Sequence, residues 1–304
     1  MTRAWPESLK ALARRALRGY GLHMPLDHGK YRLVNYGAPR LVPADPAPVV
    51  ARAPHGFWMS LDLREHIQQR AYYLGYHEAP NMCVLAEQVR PATTVFDLGA
   101  NFGQFSLLAA HLTGPGGQVF AYEPSPAAYA ALERNVALNG YSQVVCRQAA
   151  VGAASGKATF FTSPPWDQGT GSLQREAVER YHREVGMVTV VVERLDDLLE
   201  HITRPVSAIK MDIQGAELPA LQGAEGLLRQ HHPALLVEVA EEASRAFGYG
   251  PADLGAFLHG LGYRFWAVPV RPGKRRVPLD WRDLRSGDIL CLYGGEGQGI
   301  CASP

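Results

Sequence analysis

The chain has 304 residues, of which 47% are hydrophobic and 19% charged, a composition typical of globular proteins and unlike that of disordered chains. Its 30 basic and 29 acidic residues leave a net charge of +1, so no overall field favours nucleic acid or an anionic membrane. Four widely spaced cysteines without a CxxC pair exclude a zinc framework and a disulfide scaffold, and they predict a cytoplasmic location. No apolar run approaches the length of a transmembrane helix.

Residues 1–75 predict an N-terminal helix and hairpin extension. The prolines between Gly37 and Pro54 exclude a helix there, and the flanking segments 31–35 and 49–52 have the composition of short edge strands. One face of a preceding helix is predicted to dock on the main domain. That face comprises Trp5, Leu9, Leu12 and Ala16.

Residues 76–304 predict a single larger domain in which short apolar strands alternate with amphipathic helices. This alternation is typical of an α/β fold with a mostly parallel sheet covered by helices on both faces. Two last strands, 264–268 and 289–293, form a terminal hairpin that makes the last strand antiparallel, and 151–195 is a substrate-shaping insertion. The other predicted strands are 94–98, 118–122, 144–147, 208–211 and 235–239, and the predicted helices are 104–112, 127–138 and 216–231.

A glycine turn follows the first of these strands and opens a helix. Gly99 and Gly103 allow the backbone to approach a ligand closely, at the sheet edge where doubly wound folds bind ligands. The spacing is GxNxG instead of the GxGxxG of dinucleotide sites, and Asp97 precedes it. A carboxylate there would repel a pyrophosphate and attract a ligand with ammonium and sulfonium charges. Glu123, at the end of the next strand, is placed to accept ribose hydroxyls.

Four motifs occur in a characteristic order: DLGANFG at 97–103, AYEPSP at 121–126, QAAVG at 148–152 and IKMDIQGAE at 209–217. In this order and spacing the chain resembles the FkbM family of class I S-adenosylmethionine-dependent methyltransferases, over about 76–239. The resemblance implies a Rossmann-like seven-stranded sheet and methylation of a hydroxyl oxygen. The chain departs from the family at Gln214, where a glutamate is common, and the departure predicts a more isolated Asp212.

The resemblance also implies which residues bind S-adenosyl-L-methionine. Asp97 would lie near the ammonium end of the methionine portion, Glu123 would hold the ribose, and Gln148 and Ala150 would flank the adenine. Glu78 and its neighbour Tyr76 either reach the cofactor pocket or belong to a surface turn. The full predicted set is Glu78, Asp97, Gly99, Ala100, Asn101, Phe102, Gly103, Glu123, Pro124, Ser125, Gln148, Ala149, Ala150 and Asp212.

The predicted catalytic residues are Asp212 and Glu238. Both lie at the ends of predicted adjacent parallel strands, which would bring them to the same rim of the sheet. A hydroxyl is a poor nucleophile, so either carboxylate could serve as a base or position the acceptor. As an alternative, the two could bind a divalent cation, although no protein metal-ligand set is predicted. Glu217 is interpreted as a carboxylate favoured at a helix N-terminus.

The predicted partner is a small molecule or glycan that presents a hydroxyl, and the oligomeric state is left open. The basic stretch at 271–276 lacks interleaved aromatic residues, so nucleic acid is not predicted as a partner. Two rival functions remain: an NAD-dependent oxidoreductase, and an N-methyltransferase of a base or protein that uses the SPPW run at 163–166. His182 and His201 are expected at the surface. The basic stretch comprises Arg271, Lys274, Arg275 and Arg276.

Overall fold

A computed structural model describes residues 6–24, 29–43, 47–270 and 274–294. Trp5, Arg271 and Cys301 lie outside the described residues. In the described part of the chain, none of the helices combines the length and apolar character that a membrane span requires.

The N-terminal extension contains more helix than predicted. The helices are α1 Glu7–His23, α2 Lys30–Gly37 and α3 His66–Leu74, and a hairpin is formed by β1 Val49–Arg52 and β2 Trp58–Leu61. The prediction of a strand over 31–35 is wrong, because these residues lie in α2 and only Val34 among them is buried. A 3₁₀ helix, Ala38–Leu41, follows directly.

Helix α1 docks on α3, but not through the predicted face. Leu9 and Leu12 are 51% and 64% exposed, so that face does not pack on the protein. The contact is made instead at Gly21, which is buried against the backbone of Tyr73. Arg18 strengthens the contact by donating hydrogen bonds to the carbonyls of Tyr72 and Arg52. A residue without a side chain is needed where two helix backbones approach this closely.

The remaining helices and strands follow in alternation. The helices are α4 Ala79–Gln88, α5 Gln104–Thr113, α6 Pro126–Asn139, α7 Arg175–Glu179, α8 Glu217–Gln222, α9 Glu225–His231, α10 Glu241–Ala246 and α11 Pro251–Gly260. The strands are β3 Thr94–Leu98, β4 Gln118–Tyr122, β5 Val144–Arg147, β6 Ala149–Val151, β7 Gly156–Thr162, β8 Gly186–Glu193, β9 Val206–Met211, β10 Ala234–Val239, β11 Tyr263–Ala267, β12 Val277–Leu279 and β13 Gly287–Tyr293. The single helix predicted over 216–231 is divided at Gly223, whose position against the Gly152 carbonyl has no room for a side chain.

The main sheet has the order β12-β11-β13-β10-β9-β3-β4-β5 and is a mostly parallel, Rossmann-like sheet. Strands β5, β4, β3, β9 and β10 are parallel, and β13 is antiparallel to both of its neighbours, as the predicted terminal hairpin requires. The sheet has eight strands where seven were expected, because the short strand β12 pairs with the edge of β11.

Helices cover both faces of this sheet and create two hydrophobic cores. Consecutive strand residues alternate between them, since side chains in a strand point to opposite faces. In β4, Val119 and Ala121 pack in one core, and Phe120 and Tyr122 in the other. The insertion forms a separate three-stranded sheet, β6-β8-β7, beside the carboxyl ends of β3 and β4.

Candidate active site

A cavity of about 380 Å³ lies at the carboxyl ends of four parallel strands of the main sheet. This volume is within the range of small-molecule sites, roughly 300–1,000 Å³. Loops after β3 and β4 line one side, and the ends of β9 and β10 line the other. Ten of the predicted cofactor residues lie in its wall: Glu78, Gly99, Ala100, Asn101, Phe102, Glu123, Pro124, Ala149, Ala150 and Asp212. The predicted catalytic pair, Asp212 and Glu238, lies there too.

The glycine turn brings backbone directly into the cavity wall. Gly99 has a φ of +79°, and a Cβ there would lie 1.9 Å from the carbonyl oxygen of Asp212. Asn101 also adopts a left-handed conformation, with a φ of +51°. Its side-chain Oδ1 is buried without a hydrogen-bond partner. Because Asn101 lines the cavity, the wall contains an unsatisfied acceptor that a ligand donor can satisfy.

Glu123 is held rigidly by backbone donors. The amide of Asn101 donates to Oε2 and the amide of Ser125 donates to Oε1, both at 2.8 Å. Burial raises the pKa of Glu123 to about 7. This carboxyl therefore has a fixed orientation and a strong need for a polar partner, as expected of a group that binds ligand hydroxyls.

Asp97 lies behind the wall and not in it. Its side chain is buried, and its Oδ2 accepts a hydrogen bond from the Ser106 hydroxyl at 2.5 Å. Burial raises the pKa of Asp97 despite the nearby Lys210 ammonium, whose Nζ is 3.8 Å from Oδ1. Asp97 is absent from the cavity wall, and its predicted place near the ammonium end of the cofactor stays a prediction.

Lys210 is a buried cation of the wall and is absent from the predicted site. Its Nζ lies 3.6 Å from Asp212 Oδ2 and donates to the Gly99 carbonyl at 3.1 Å. Burial alone would lower its pKa, but the carboxylates of Asp212 and Asp97 raise the pKa above its usual value. A lysine within the apolar strand β9 is the sequence signal that marks it.

Three other predicted cofactor residues also lie outside the cavity wall. Gly103 begins helix α5 and has no room for a side chain because Leu132 packs against it. Ser125 contributes only its backbone amide, to Glu123. Gln148 lies between β5 and β6 with its side chain exposed to solvent. These positions are set by packing that the motif alone does not show.

Gln214 connects the two predicted catalytic carboxylates. Its Nε2 donates to Asp212 Oδ1 at 3.0 Å and to Glu238 Oε2 at 2.9 Å. The structure thus brings both carboxylates to one rim, and the expectation that Gln214 leaves Asp212 isolated is wrong. The charge of Asp212 and then burial raise the pKa of Glu238 well above its usual value.

Glu78 completes the acidic rim from the loop before α4. Its φ is +43°, and its carboxylate lies 3.3 Å from His77 Nε2. Although burial opposes ionisation, the His77 imidazole and Lys210 lower the pKa of Glu78 to about 2. Tyr76 is buried and accepts a hydrogen bond from the His55 amide, outside this cavity. Glu217 caps the loop before α8, where the amides of Ile213 and Gly215 donate to its Oε1.

The insertion covers the cavity through the segment 167–181. His182 is not a surface residue as predicted, because its side chain is only 4% exposed. Its Nε2 lies 3.0 Å from Asp167 Oδ2 and 2.9 Å from the Thr170 hydroxyl, two residues that line the cavity. Trp166 of the SPPW run is 55% exposed and does not line the cavity. That run follows β7 of the small sheet and not a strand of the main sheet, which does not support its use as a catalytic motif.

The donors around Asp212 and Glu238 do not fit a divalent cation. Among the described residues, the group of three potential ligands is Glu65, His66 and Asp167, and both carboxylate oxygens of Glu65 already accept backbone amides of α3. Asp212 and Glu238 belong to no such group, and the amide of Gln214 donates to both.

Comparison with known proteins gives a consistent result. A family model described as the methyltransferase FkbM domain matches residues 97–265. "Methyltransferase 1" of Beauveria bassiana is 30% identical over 148 residues, which cover 43% of this chain and 58% of that protein. "Methyltransferase sdnD" of Sordaria araneosa is 30% identical over 194 residues, covering 56% and 73% of the two chains. "31-O-demethyl-FK506 methyltransferase FkbM" of Streptomyces tacrolimicus is 29% identical over 162 residues, covering 45% and 62%.

Proposed function

The chain belongs to the FkbM methyltransferase family, and we propose that it uses S-adenosyl-L-methionine to methylate a hydroxyl of a small molecule, natural product or glycan. One observation carries the proposal: a single cavity joins Glu123 and the glycine turn to the carboxylates of Asp212 and Glu238. The relative named for 31-O-demethyl-FK506 supports transfer to oxygen, although the chain spans only about 58–73% of the lengths of these relatives.

The residues of the cavity fit this cofactor. The unpartnered Asn101 Oδ1 would accept a hydrogen bond from the ammonium of the methionine portion, beside the close backbone approach at Gly99. Glu123, already oriented by two amides, would accept the ribose hydroxyls. Ala149 and Ala150 would leave room for the adenine ring.

When bound, the cofactor supplies an electrophilic methyl group on a positively charged sulfur. The protein's contribution is alignment, since in-line displacement depends on the orientation of the attacking oxygen. Asp212, fixed between Lys210 and Gln214, accepts the acceptor's hydroxyl proton as the C–O bond forms and the C–S bond breaks. Glu238, which lies at the same rim and accepts a hydrogen bond from the same Gln214 amide as Asp212, orients the acceptor. The insertion excludes water from this chemistry.

Binding of S-adenosylhomocysteine by isothermal titration calorimetry tests the cofactor assignment. In Glu123→Gln an amide replaces one carboxylate oxygen and faces a backbone amide donor, so we expect at least tenfold weaker binding, about 1.4 kcal/mol. Glu176→Gln, at an exposed position of α7, is the matched control. Binding of NAD in place of S-adenosylhomocysteine would indicate an oxidoreductase and overturn the proposal.

Transfer of a labelled methyl group to a panel of alcohols and phenols tests the chemistry. We expect Asp212→Asn to reduce kcat by about 10²–10⁴-fold, the usual contribution of a general base. Loss of activity in Trp166→Ala together with full activity in Asp212→Asn would contradict this assignment and favour transfer to nitrogen through the SPPW run.

A further inference from the structure

A second cavity, of about 810 Å³, adjoins the first. The two share three wall residues, Arg70, His77 and Glu78. The second cavity is bounded by the N-terminal extension on one side and by the ends of β11 and β13 on the other. Its position therefore places a molecule held there directly beside the acidic rim of the first cavity.

The strand register connects the two cavities chemically. Glu238 on β10 lines the first cavity, and its register partner on β13, Asp288, lines the second. Directly paired residues of adjacent strands project to the same side of a sheet. A molecule in the second cavity can thus reach Asp288 and Glu238 in succession.

Arg70 is the unusual residue of the shared wall. It projects from α3, is partly buried, and within the described part of the chain makes no hydrogen bond or ion pair. Lys210, the other basic side chain in the first cavity besides Arg70 and the histidines, already contacts Asp97, Asp212 and the Gly99 carbonyl. A guanidinium presents a planar set of donors that matches the oxygens of a carboxylate or phosphate.

Two acids, Glu78 and Asp288, also line the second cavity. His77 lies 3.3 Å from Glu78 and faces its charge. Burial and the charge of Glu78 raise the pKa of Asp288 to about 6, so its negative charge declines as the pH falls toward 6. The rest of the wall is mostly apolar, with Leu74, Val268 and Ile289 among its residues, and its other charged side chains are the exposed Asp283 and Arg285.

We propose that the second cavity binds the methyl acceptor and that Arg70 holds an anionic group of it, a carboxylate or a phosphate. This inference rests on the proposed function and adds the substrate class: a hydroxylated molecule with an apolar body and a negative charge. The apolar wall contacts the body, Arg70 pairs with the anion, and the hydroxyl reaches the rim formed by Asp212 and Glu238. Arg70 acts in this arrangement as a specificity-determining residue.

The test uses the full chain saturated with S-adenosylhomocysteine and matched pairs of probes. The carboxylate pairs are 3-hydroxybenzoate and 3-hydroxyoctanoate with their methyl esters, and the phosphate pair is 3-hydroxyphenyl phosphate with resorcinol. Calorimetry measures binding, and labelled methyl transfer with S-adenosylmethionine measures turnover. We expect the anionic member of at least one pair to bind at least tenfold more tightly than its neutral partner.

Variants identify the residue responsible. We expect Arg70→Met to reduce the anion preference to less than threefold, and Arg70→Lys to retain part of it. Arg64→Met is the matched control, because Arg64 is exposed, pairs with Asp62 and lines neither cavity. An unchanged far-ultraviolet circular dichroism spectrum shows that each variant is folded.

The outcomes separate the two proposals. If the protein binds S-adenosylhomocysteine but no pair shows an anion preference, the assignment of Arg70 is overturned and the proposed function is not. A preference that survives in Arg70→Met overturns the assignment in the same way. If S-adenosylhomocysteine does not bind, the proposed function itself is overturned, together with the inference built on it.

Discussion

At the residue scale, Gly99 has no space for a side chain. Any side chain there would meet the Asp212 carbonyl, in a backbone conformation with positive φ. We expect Gly99→Ala to lower the free energy of unfolding by about 3 kcal/mol or more and to abolish cofactor binding. Gly140→Ala, at the end of α6, has a similar φ of +64° but nothing within 4 Å, so it should cost only about 1–2 kcal/mol. Equal losses in the two variants, measured by chemical denaturation, would contradict the steric argument.

A second prediction concerns Glu217 and the dependence of the free energy of unfolding on pH. Burial raises its pKa from 4.5 to about 7, so folding favours the protonated form. The stability that this proton contributes is complete below pH 4.5 and is lost as the pH rises through about 7. Glu217→Gln mimics the protonated acid, so the variant should gain stability over the wild type between pH 4.5 and 7, on the order of 3 kcal/mol.

Denaturant titrations at pH 5, 6, 7 and 8 check this pH dependence. Glu200→Gln, at an exposed position, serves as the control and should leave the difference from the wild type constant. Glu123 has a similarly raised pKa, but it is present in every variant and cancels in the comparison. A wild type that becomes more stable relative to Glu217→Gln as the pH rises would refute the assignment.

The residues of the site differ in how far the sequence predicts them. Glu123 and Gly99 belong to a local motif whose geometry depends on neighbouring residues, so their place in the wall could be predicted. Arg70, Lys210 and Asp288 come from separate elements, and their roles depend on which side chains meet across the fold. No spacing rule encodes such meetings, and for the same reason the bridge made by Gln214 could not be foreseen.

At the scale of elements, the insertion is held over the cavity by His182. Its contacts to Asp167 and Thr170 connect the residues that follow helix α7 to the segment that lines the cavity. We expect His182→Ala to release this segment and to weaken binding of S-adenosylhomocysteine about 5- to 30-fold, the equivalent of 1–2 kcal/mol. Because the segment lies apart from the main cores, the melting temperature should change little.

Calorimetry and limited proteolysis of the segment 163–182 check this prediction. His201→Ala, at an exposed histidine, is the control and should leave both measurements unchanged. Wild-type affinity and protease resistance in His182→Ala would show that the segment does not depend on this contact.

Strand and helix periodicity explains which elements could be predicted. The buried strands of the parallel sheet are short apolar runs between glycine turns, and their order follows from the alternation with helices. The segment 31–35 misleads because Tyr31, Leu33 and Val34 give it the composition of a short edge strand beside the prolines. In the structure Tyr31 and Leu33 are 41% and 46% exposed, and the segment is a helix that needs only Val34 for its contact with the core.

At the scale of the whole molecule, the near balance of charge conceals a concentration of acids at one rim. Glu78, Asp212 and Glu238 line the first cavity, and Lys210 is the cation among them. A cationic cofactor complements this field.

The hydrophobic core includes residues from both sides of position 75. Phe57 and Met59 of the extension pack in the same cluster as Val95 and Leu107. The division at residue 75 stays a prediction, and the shared core favours one cooperative unit.

Two glycines of helix α1 can test whether the extension and the sheet unfold as one cooperative unit. Gly19 in α1 has nothing within 4 Å, so Gly19→Ala should stabilise the helix by about 0.5–1 kcal/mol. A Cβ at Gly21 would lie 1.9 Å from the Tyr73 carbonyl oxygen, so Gly21→Ala forces α1 away from α3 and should cost about 1–3 kcal/mol. If the extension and the sheet form one unit, calorimetric scans of both variants show a single transition shifted in opposite directions. Two separate transitions in Gly21→Ala would mean that the extension unfolds alone, and equal shifts would mean that α1 is not held against α3.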